Sequence, residues 1–499
     1  MKTTHDLVVI GGGAAGLTAA GVGVSLGAST VMIEAERLGG DCTWTGCIPS
    51  KTLLKAAHVV HQSATASRFG LADTPVPVDF AALMRHVRGV REGIYAHADA
   101  PPVFEALGVD VRPGRARFVD ARTVEITREP APAQAGGGET ERVSGRRIVI
   151  ATGARPAVPD IPGLDATPFL TSETLFEITE QPRHLAILGG GPIGVEMAQA
   201  FRRLSSQVTL VEHGERILKQ DDAEPAALLQ AVLESEGVRF RLRTDVVRAE
   251  RDGAGVALTL RDRDGDGETR LVADALLVAV GRQPNVDGLG LDAAGVACTE
   301  NGISVDAHGR TSARPVYAAG DVTGQFALTH MSEHTAKVAV TNALLRIPAR
   351  IDAAHVPWAT YTDPELAHVG ATAAALDAAG RRYRTLRFPY GKLDRAITDG
   401  ETTGLILIHA TRGGRILGAS VLGARAGEMI GELAVAMRAG VSLRALSETI
   451  HPYPTYGLGV RRAADQWVVG LRSERLVRTL RRVLRLRGPV SGYEPGQIV

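Results

Sequence analysis

The chain opens on a continuous apolar run, Leu7 to Ile10, followed by Gly11, Gly13 and Gly16, a helical stretch and a second apolar run that ends at Glu34. An unbroken run of that length reads as a strand covered on both faces, so the order predicts a βαβ unit. The G-x-G-x-x-G spacing puts glycine where a backbone must approach a pyrophosphate, and a helix N-terminus supplies unpaired N–H groups for it. Glu34 is then placed to accept hydrogen bonds from ribose hydroxyls. The pattern recurs in "HLAILGGGPIGVEMAQAFRRLSSQVTLVEHGERIL", with Gly189, Gly191 and Gly194 after an apolar strand and Glu212 closing the next. One copy alone is also what a glycine-rich turn produces. Two copies about 180 residues apart, each in full context, predict two dinucleotides bound by a duplicated fold.

Three further apolar strands end in small-residue turns: "RRIVIATGARP" with Gly153, "DALLVAVGRQPN" with Gly281, and "TSARPVYAAGDVTG" with Gly320 and Asp321. Residues 131–147, polar and glycine-rich, predict a long hairpin loop. From about residue 350 the alternation shifts to a period of two, which predicts antiparallel strands, and helical patterns follow. That final region reads as α+β. Beyond it, residues 471–488 predict a basic amphipathic helix with Leu476, Leu480, Val483 and Leu484 on one face.

Length and charge narrow the picture. At 499 residues the chain holds several domains, and a formal net charge of +1 gives no electrostatic reason to expect nucleic acid. Three cysteines do not make a secreted disulfide framework. The N-terminus has no signal-peptide architecture, and no run of 18 or more apolar residues suggests a membrane span, so a cytoplasmic enzyme is expected.

Two of the three cysteines sit in "GGDCTWTGCIPSK". A metal site built on Cys42 and Cys47 needs further ligands nearby, and none follows, so no metal is predicted. A buried pair of free thiols and a redox-active disulfide both remain. Cys47 opens a helix, a position that lowers a thiol's pKa and favours thiolate.

Taken in order, these motifs resemble the pyridine nucleotide–disulfide oxidoreductases, the family of glutathione reductase, dihydrolipoamide dehydrogenase and mercuric reductase. The resemblance spans roughly residues 5–467, and "LDRAITDGETTG" is most similar to the mercuric-reductase-like branch. It implies an α/β enzyme with two Rossmann-like domains, for FAD and NAD(P), and a C-terminal α+β dimerisation domain. The implied division is 1–155 and 276–348 for FAD, 156–275 for NAD(P), 349–468 for the interface, and 469–499 as a basic tail. Cys42 and Cys47 become a redox-active disulfide, with Cys47 on the flavin side and Cys42 as the exchange thiol. FAD falls to Gly11, Gly13, Gly16, Glu34, Gly153, Gly320 and Asp321. The nicotinamide cofactor falls to Gly189, Gly191, Gly194 and Glu212, and Gly281 is a further cofactor-binding candidate. Lys51 and Glu196 match the family's pair beside the flavin, although an ordinary ion pair between helices is the plainer reading. Glu212 at the second strand's end suits the 2′-hydroxyl of NADH and repels a 2′-phosphate, while Arg216 nearby leaves NADPH open.

The chain departs from the family near its C-terminus. Disulfide reductases carry a His-Pro-Thr segment with a glutamate five residues after the histidine, which together relay protons. Here "HPYPTYGLG" puts Tyr453 at the histidine position, Leu458 at the glutamate position, and His451 two residues early. The last residues, "SGYEPGQIV", contain no cysteine pair of the mercuric-reductase kind. The expectation is a homodimeric NAD(P)H oxidoreductase passing electrons to a small acceptor (a disulfide, a thiol-bound metal ion or a quinone), with Tyr453 and His451 acting across the dimer. The alternatives are a dihydrolipoamide dehydrogenase and a redox-sensing, membrane-recruited flavoprotein without turnover. For the basic tail, a solvated helix packed on the dimer partner and a peripheral membrane contact through 471–488 both stand.

Overall fold

The side chains of the opening apolar run divide between two cores. Val8 and Ile10 pack with Val31, Ile33 and Ile148, while Leu7 and Val9 pack with Ala19, Met32 and Val149. Each is essentially inaccessible to solvent, worth about 1.5–3 kcal/mol of transfer free energy per side chain. The computed structural model describes residues 3–128, 139–263, 265, 267–345, 347–470 and 474–487.

In the first sheet, strand Thr3–Ile10 runs parallel to Thr30–Glu34 on one side and to Glu139–Ile150 on the other. Val109–Pro113 extends the sheet past Thr30–Glu34, and Val316–Ala318 joins the end of Glu139–Ile150, both in parallel. The latter pairing returns a distant segment to the first nucleotide fold. An antiparallel hairpin, Arg115–Asp120 and Thr123–Arg128, attaches to the first half of the same long strand.

That strand corrects one sequence expectation. Residues 139–147, expected in a loop, are strand. Their polarity has a local cause: Arg142 pairs with Glu125 across the ladder at 2.8 Å, and Glu141 with Arg128 at 3.1 Å. Charged cross-strand pairs keep an exposed strand polar, which hydropathy reads as loop. The rest of the expected loop, 131–138, lies outside the described residues.

The second fold repeats the plan with strands Val238–Arg241, Gln207–Val211, His184–Leu188 and Ala275–Val278, all parallel. A three-stranded antiparallel sheet, Thr244–Asp252, Gly255–Asp262 and Glu268–Ala273, covers it. The two crossings between folds pair with each other, Ala154–Pro156 against Arg282–Pro284. The C-terminal region forms a five-stranded antiparallel sheet in the order 357–360, 365–370, 416–423, 405–410, 384–389. Helices Ala426–Arg438 and Leu458–Gly470 contribute to its core. In the basic tail the described helix is Glu474–Val483, and residues 484–487 of the expected helix are turn or irregular. No described helix is long and apolar enough to cross a membrane.

Candidate active site

The two nucleotide folds are built alike down to single bonds. Gly11 has φ +104° and Gly189 φ +113°, and a Cβ on either would lie within 2.4 Å of a carbonyl oxygen, of Ala151 or Ala279 respectively. Gly16 and Gly194 each bring a helix onto the preceding turn, where a Cβ would stand 1.9 or 2.0 Å from the Gly11 or Gly189 oxygen. Glu34 Oε2 accepts from the Gly12 N–H at 2.6 Å, and Glu212 Oε2 accepts from the Gly190 N–H at 2.6 Å. Burial pushes the Glu34 carboxyl up, and backbone N–H bonds from Glu36 and Gly12 oppose that. Each carboxylate keeps acceptor capacity beyond these bonds.

Both glycine turns fit a dinucleotide. Helices Ala14–Ser25 and Pro192–Arg203 begin at Gly13 and Gly191 with no side-chain cap and no acid in the first turn. Their first N–H groups are thus free for phosphate. A Cβ at Gly153, Gly191 or Gly281 would point into open space, and Gly13 meets only the Gly40 Cα, at 3.6 Å. Beside the first turn, Asp321 accepts from Ser332 Oγ at 3.1 Å, next to Gly320. Burial raises its carboxyl, while Arg282, 3.5 Å away, lowers it.

Between the folds lies the redox segment. Cys42 sits in the short helix Gly40–Trp44 and Cys47 opens the helix Cys47–Ala64. Several bonds hold the segment. The Trp44 indole donates to the Leu38 carbonyl at 2.7 Å, buried Arg91 donates to the Trp44 carbonyl at 3.0 Å, and Thr43 Oγ1 donates to Asp99 at 2.6 Å. Asp41 is bound by Arg282, which also donates to the Ala154 carbonyl at 2.6 Å.

The two thiols are unequal. The hydrogen bond from Cys42 brings the Cys47 thiol down to about 6, against burial, with help from Thr329 Oγ1 at 3.4 Å and the charge of Lys51. The same bond, with burial, pushes the Cys42 thiol up. Lys51, one turn along the helix, pairs with buried Glu196 at 2.8 Å and lies 4.6 Å from the centre of the Tyr361 ring. Glu196 also accepts from the Tyr361 N–H at 2.8 Å. Behind the pair opens a cavity of about 640 Å³ whose walls include Lys51, His58, Arg203, Tyr361 and Asp363.

The remaining candidates stand on the C-terminal domain, and neither hydrogen-bonds a cysteine of its own chain. His451 is held at both ring nitrogens, by Glu432 at 2.8 Å and the Thr449 carbonyl at 3.1 Å. Tyr453 is 67% exposed. Leu458 is buried in the core at the start of helix Leu458–Gly470. Sequence reasoning missed Thr329, Tyr361 and Glu432, which no local pattern ties to the cysteines or to His451. Asp41 and Arg282 stood inside motifs already noted, but their contact crosses 241 residues.

Comparisons with known proteins match this geometry. The pyridine nucleotide-disulphide oxidoreductase model matches residues 5–341, and that family's dimerisation-domain model matches 356–464. A mercuric reductase of Streptomyces lividans is 36% identical over 466 residues, 93% of this chain and 96% of that protein. A dihydrolipoyl dehydrogenase of Thermus scotoductus is 37% identical over 473 residues, 93% of this chain and 97% of that one. Two solved structures superpose across 93% of this chain and 99% of theirs. One is the Cu(II) complex of the HOCl-induced flavoprotein disulfide reductase RclA from Escherichia coli, with TM-score 0.81 and 28% identity. The other is LpdA (Rv3303c) from Mycobacterium tuberculosis, with TM-score 0.84 and 27% identity. With both nucleotide folds and the dimerisation domain accounted for, the chain belongs to the pyridine nucleotide-disulphide oxidoreductases, FAD-dependent enzymes that use NAD(P)H.

Proposed function

We propose that this enzyme passes two electrons from NADH, through FAD and the Cys42–Cys47 pair, to a small oxidised acceptor. The observation that carries the reading is the placement of the cysteines, with Cys47 at the head of helix Cys47–Ala64, 3.4 Å from Thr329 Oγ1 and one turn from the Lys51–Glu196 pair. When bound, FAD and the nicotinamide supply the hydride chemistry, and the chain's residues position them and manage charge and protons. Opening a Cys42–Cys47 disulfide breaks the S–S bond and takes two electrons. At neutral pH it takes one proton, which Cys42 keeps while Cys47 stays thiolate. Thr329 and Lys51 stabilise that thiolate, and the second fold's Glu196 keeps Lys51 in place.

Cys42 is the thiol that meets the acceptor. His451, with both ring nitrogens occupied by its own chain, is poorly placed to relay its proton. Tyr453, exposed although its hydroxyl bonds Asp394 of its own chain, is the better candidate, acting across a homodimer. With Tyr453 and Leu458 at the family's histidine and glutamate positions, the site favours a metal ion, whose reduction takes up no proton, or a quinone, whose reduced anion can take its protons from solvent, over a disulfide such as lipoamide, whose leaving thiolate needs a placed proton. The Cu(II) complex of the Escherichia coli protein supports a metal ion among them.

NADH is the favoured donor. Glu212 is anchored by the Gly190 and Gly214 N–H groups. Arg216 is turned onto the carbonyls of Leu218, Lys219 and Asp221, away from a role as a phosphate clamp. We assign FAD to 1–155 and 276–348, the nicotinamide to 156–275, and the interface to 349–468, in a cytoplasmic enzyme.

Two measurements test this function. Thiols counted in the denatured protein should rise from Cys298 alone to all three cysteines after anaerobic NADH. Steady-state NADH oxidation should then respond to Cu(II) or quinones and fail with lipoamide. An unchanged thiol count contradicts the dithiol, and efficient lipoamide turnover contradicts the choice of acceptor.

A further inference from the structure

Helix Glu474–Val483 and the turn after it expose Leu480 (43%), Val483 (71%), Leu484 (60%) and Leu486 (55%). Among the described residues, none of the hydrophobic cores draws a side chain from beyond Val468, and none covers this stripe. Arg482, Arg485 and Arg487 are exposed beside it. Residues 471–488 hold seven arginines against one acid, although the whole chain carries only +1. The rest of the chain is therefore net negative, and this segment carries a net positive charge of its own. Both family models stop at or before residue 464, so the helix belongs to neither matched domain.

We propose that this helix docks the enzyme on an anionic phospholipid surface, lying in the plane of the headgroups. Ten residues rise about 15 Å, half of what a span requires, so the helix lies on a bilayer and does not cross it. Exposed aliphatic side chains between arginines fit that interface: the leucines and Val483 enter the acyl boundary while the guanidiniums meet phosphate. A net-negative body is repelled by the same surface, so contact is confined to the tail. A nucleic acid would meet the arginines but offers nothing to cover four exposed aliphatic side chains.

The test is cosedimentation of the full-length, FAD-loaded enzyme with phosphatidylcholine vesicles, with and without phosphatidylglycerol. Binding should require phosphatidylglycerol, weaken with salt, and vanish on truncation after Gly470 while NADH oxidation persists. Replacing Arg482, Arg485 and Arg487 with Gln should weaken it about a hundredfold, at about fivefold per arginine. Leu484→Ser with Val483→Ser should abolish it with the charge unchanged, so the result does not depend on the truncated chain folding. Equal sedimentation of intact and truncated enzyme, or binding indifferent to phosphatidylglycerol, overturns the proposal. So does tighter binding to duplex DNA, or a halved solution mass on truncation, which would assign the helix to the subunit interface.

Discussion

His451 Nε2 lies 2.8 Å from Glu432 Oε1, while its Nδ1 faces the Thr449 carbonyl. The histidine that sequence alone offers as a displaced proton relay is thus tied down within its own chain, by a glutamate on helix Ala426–Arg438. We expect His451→Ala to cost about 1 kcal/mol of stability through the lost bonds and to leave turnover with the physiological acceptor within about twofold. Tyr453→Phe should leave stability unchanged and lower that turnover by up to about 10²-fold, the lower range of general acid catalysis. A reversed pattern in melting temperature and kcat would return the relay to His451.

Lys51 and Glu196 act on Cys47 with opposite signs. The ammonium lowers its thiol pKa and the carboxylate raises it. A thiolate with a depressed pKa persists above that value and is protonated as pH falls through it. The thiolate signal should therefore fade below about pH 6 in the native enzyme. Lys51→Met should move the midpoint to higher pH, and Glu196→Gln to lower pH. Lys51→Met also leaves the buried Glu196 carboxylate with only the Tyr361 N–H, at a cost of about 1–3 kcal/mol, most of which the double variant should recover. Absorbance against pH, with denaturant melts, checks both.

Asp222 joins the second nucleotide fold to the C-terminal sheet. Its buried carboxylate accepts from His409 Nε2 at 3.0 Å, Ser420 Oγ at 2.7 Å and the Ala373 N–H at 2.8 Å. Burial alone would raise its pKa, but these bonds outweigh burial and hold it at about 2. A carboxyl depressed on folding stabilises the native state above its unfolded pKa near 4, and that contribution is lost as pH falls towards 2. We expect about 2 kcal/mol of acid-sensitive stability from this group, absent in Asp222→Asn. Urea melts of the two proteins between pH 5 and 2 should converge as pH falls, and parallel curves would refute the assignment.

On the proposed reading, Glu212 sets the choice of donor. Its Ala variant should lose about 10- to 100-fold in kcat/KM for NADH, as expected for a charge-assisted hydrogen bond, with little change for NADPH. An equal loss with both donors would mean that Glu212 only braces the turn through Gly190 and Gly214.

Much of this site was legible in the sequence because its nucleotide folds are local. Gly11 to Glu34 and Gly189 to Glu212 are each one strand–turn–helix–strand unit, and the periodicity that makes them also names their residues. The segment with Cys42, Cys47 and Lys51 is equally local, but the roles expected of those residues came from the family resemblance and not from periodicity. What was hidden is what long-range packing creates. Thr329 reaches Cys47 across 282 residues, and Glu432 reaches the loop residue His451 from helix Ala426–Arg438. Strand Glu139–Ile150 was misread because its cross-strand charge pairs imitate a loop.

The central claim, a working Cys42–Cys47 dithiol with its thiolate on Cys47, is tested most directly by anaerobic titration of the purified enzyme with NADH while the long-wavelength absorbance is followed. The account predicts a thiolate–flavin charge-transfer band that is complete at two electrons, fades below about pH 6, and is absent in Cys47→Ser. Bleaching of the flavin without that band would show that electrons bypass the cysteines and contradict the account.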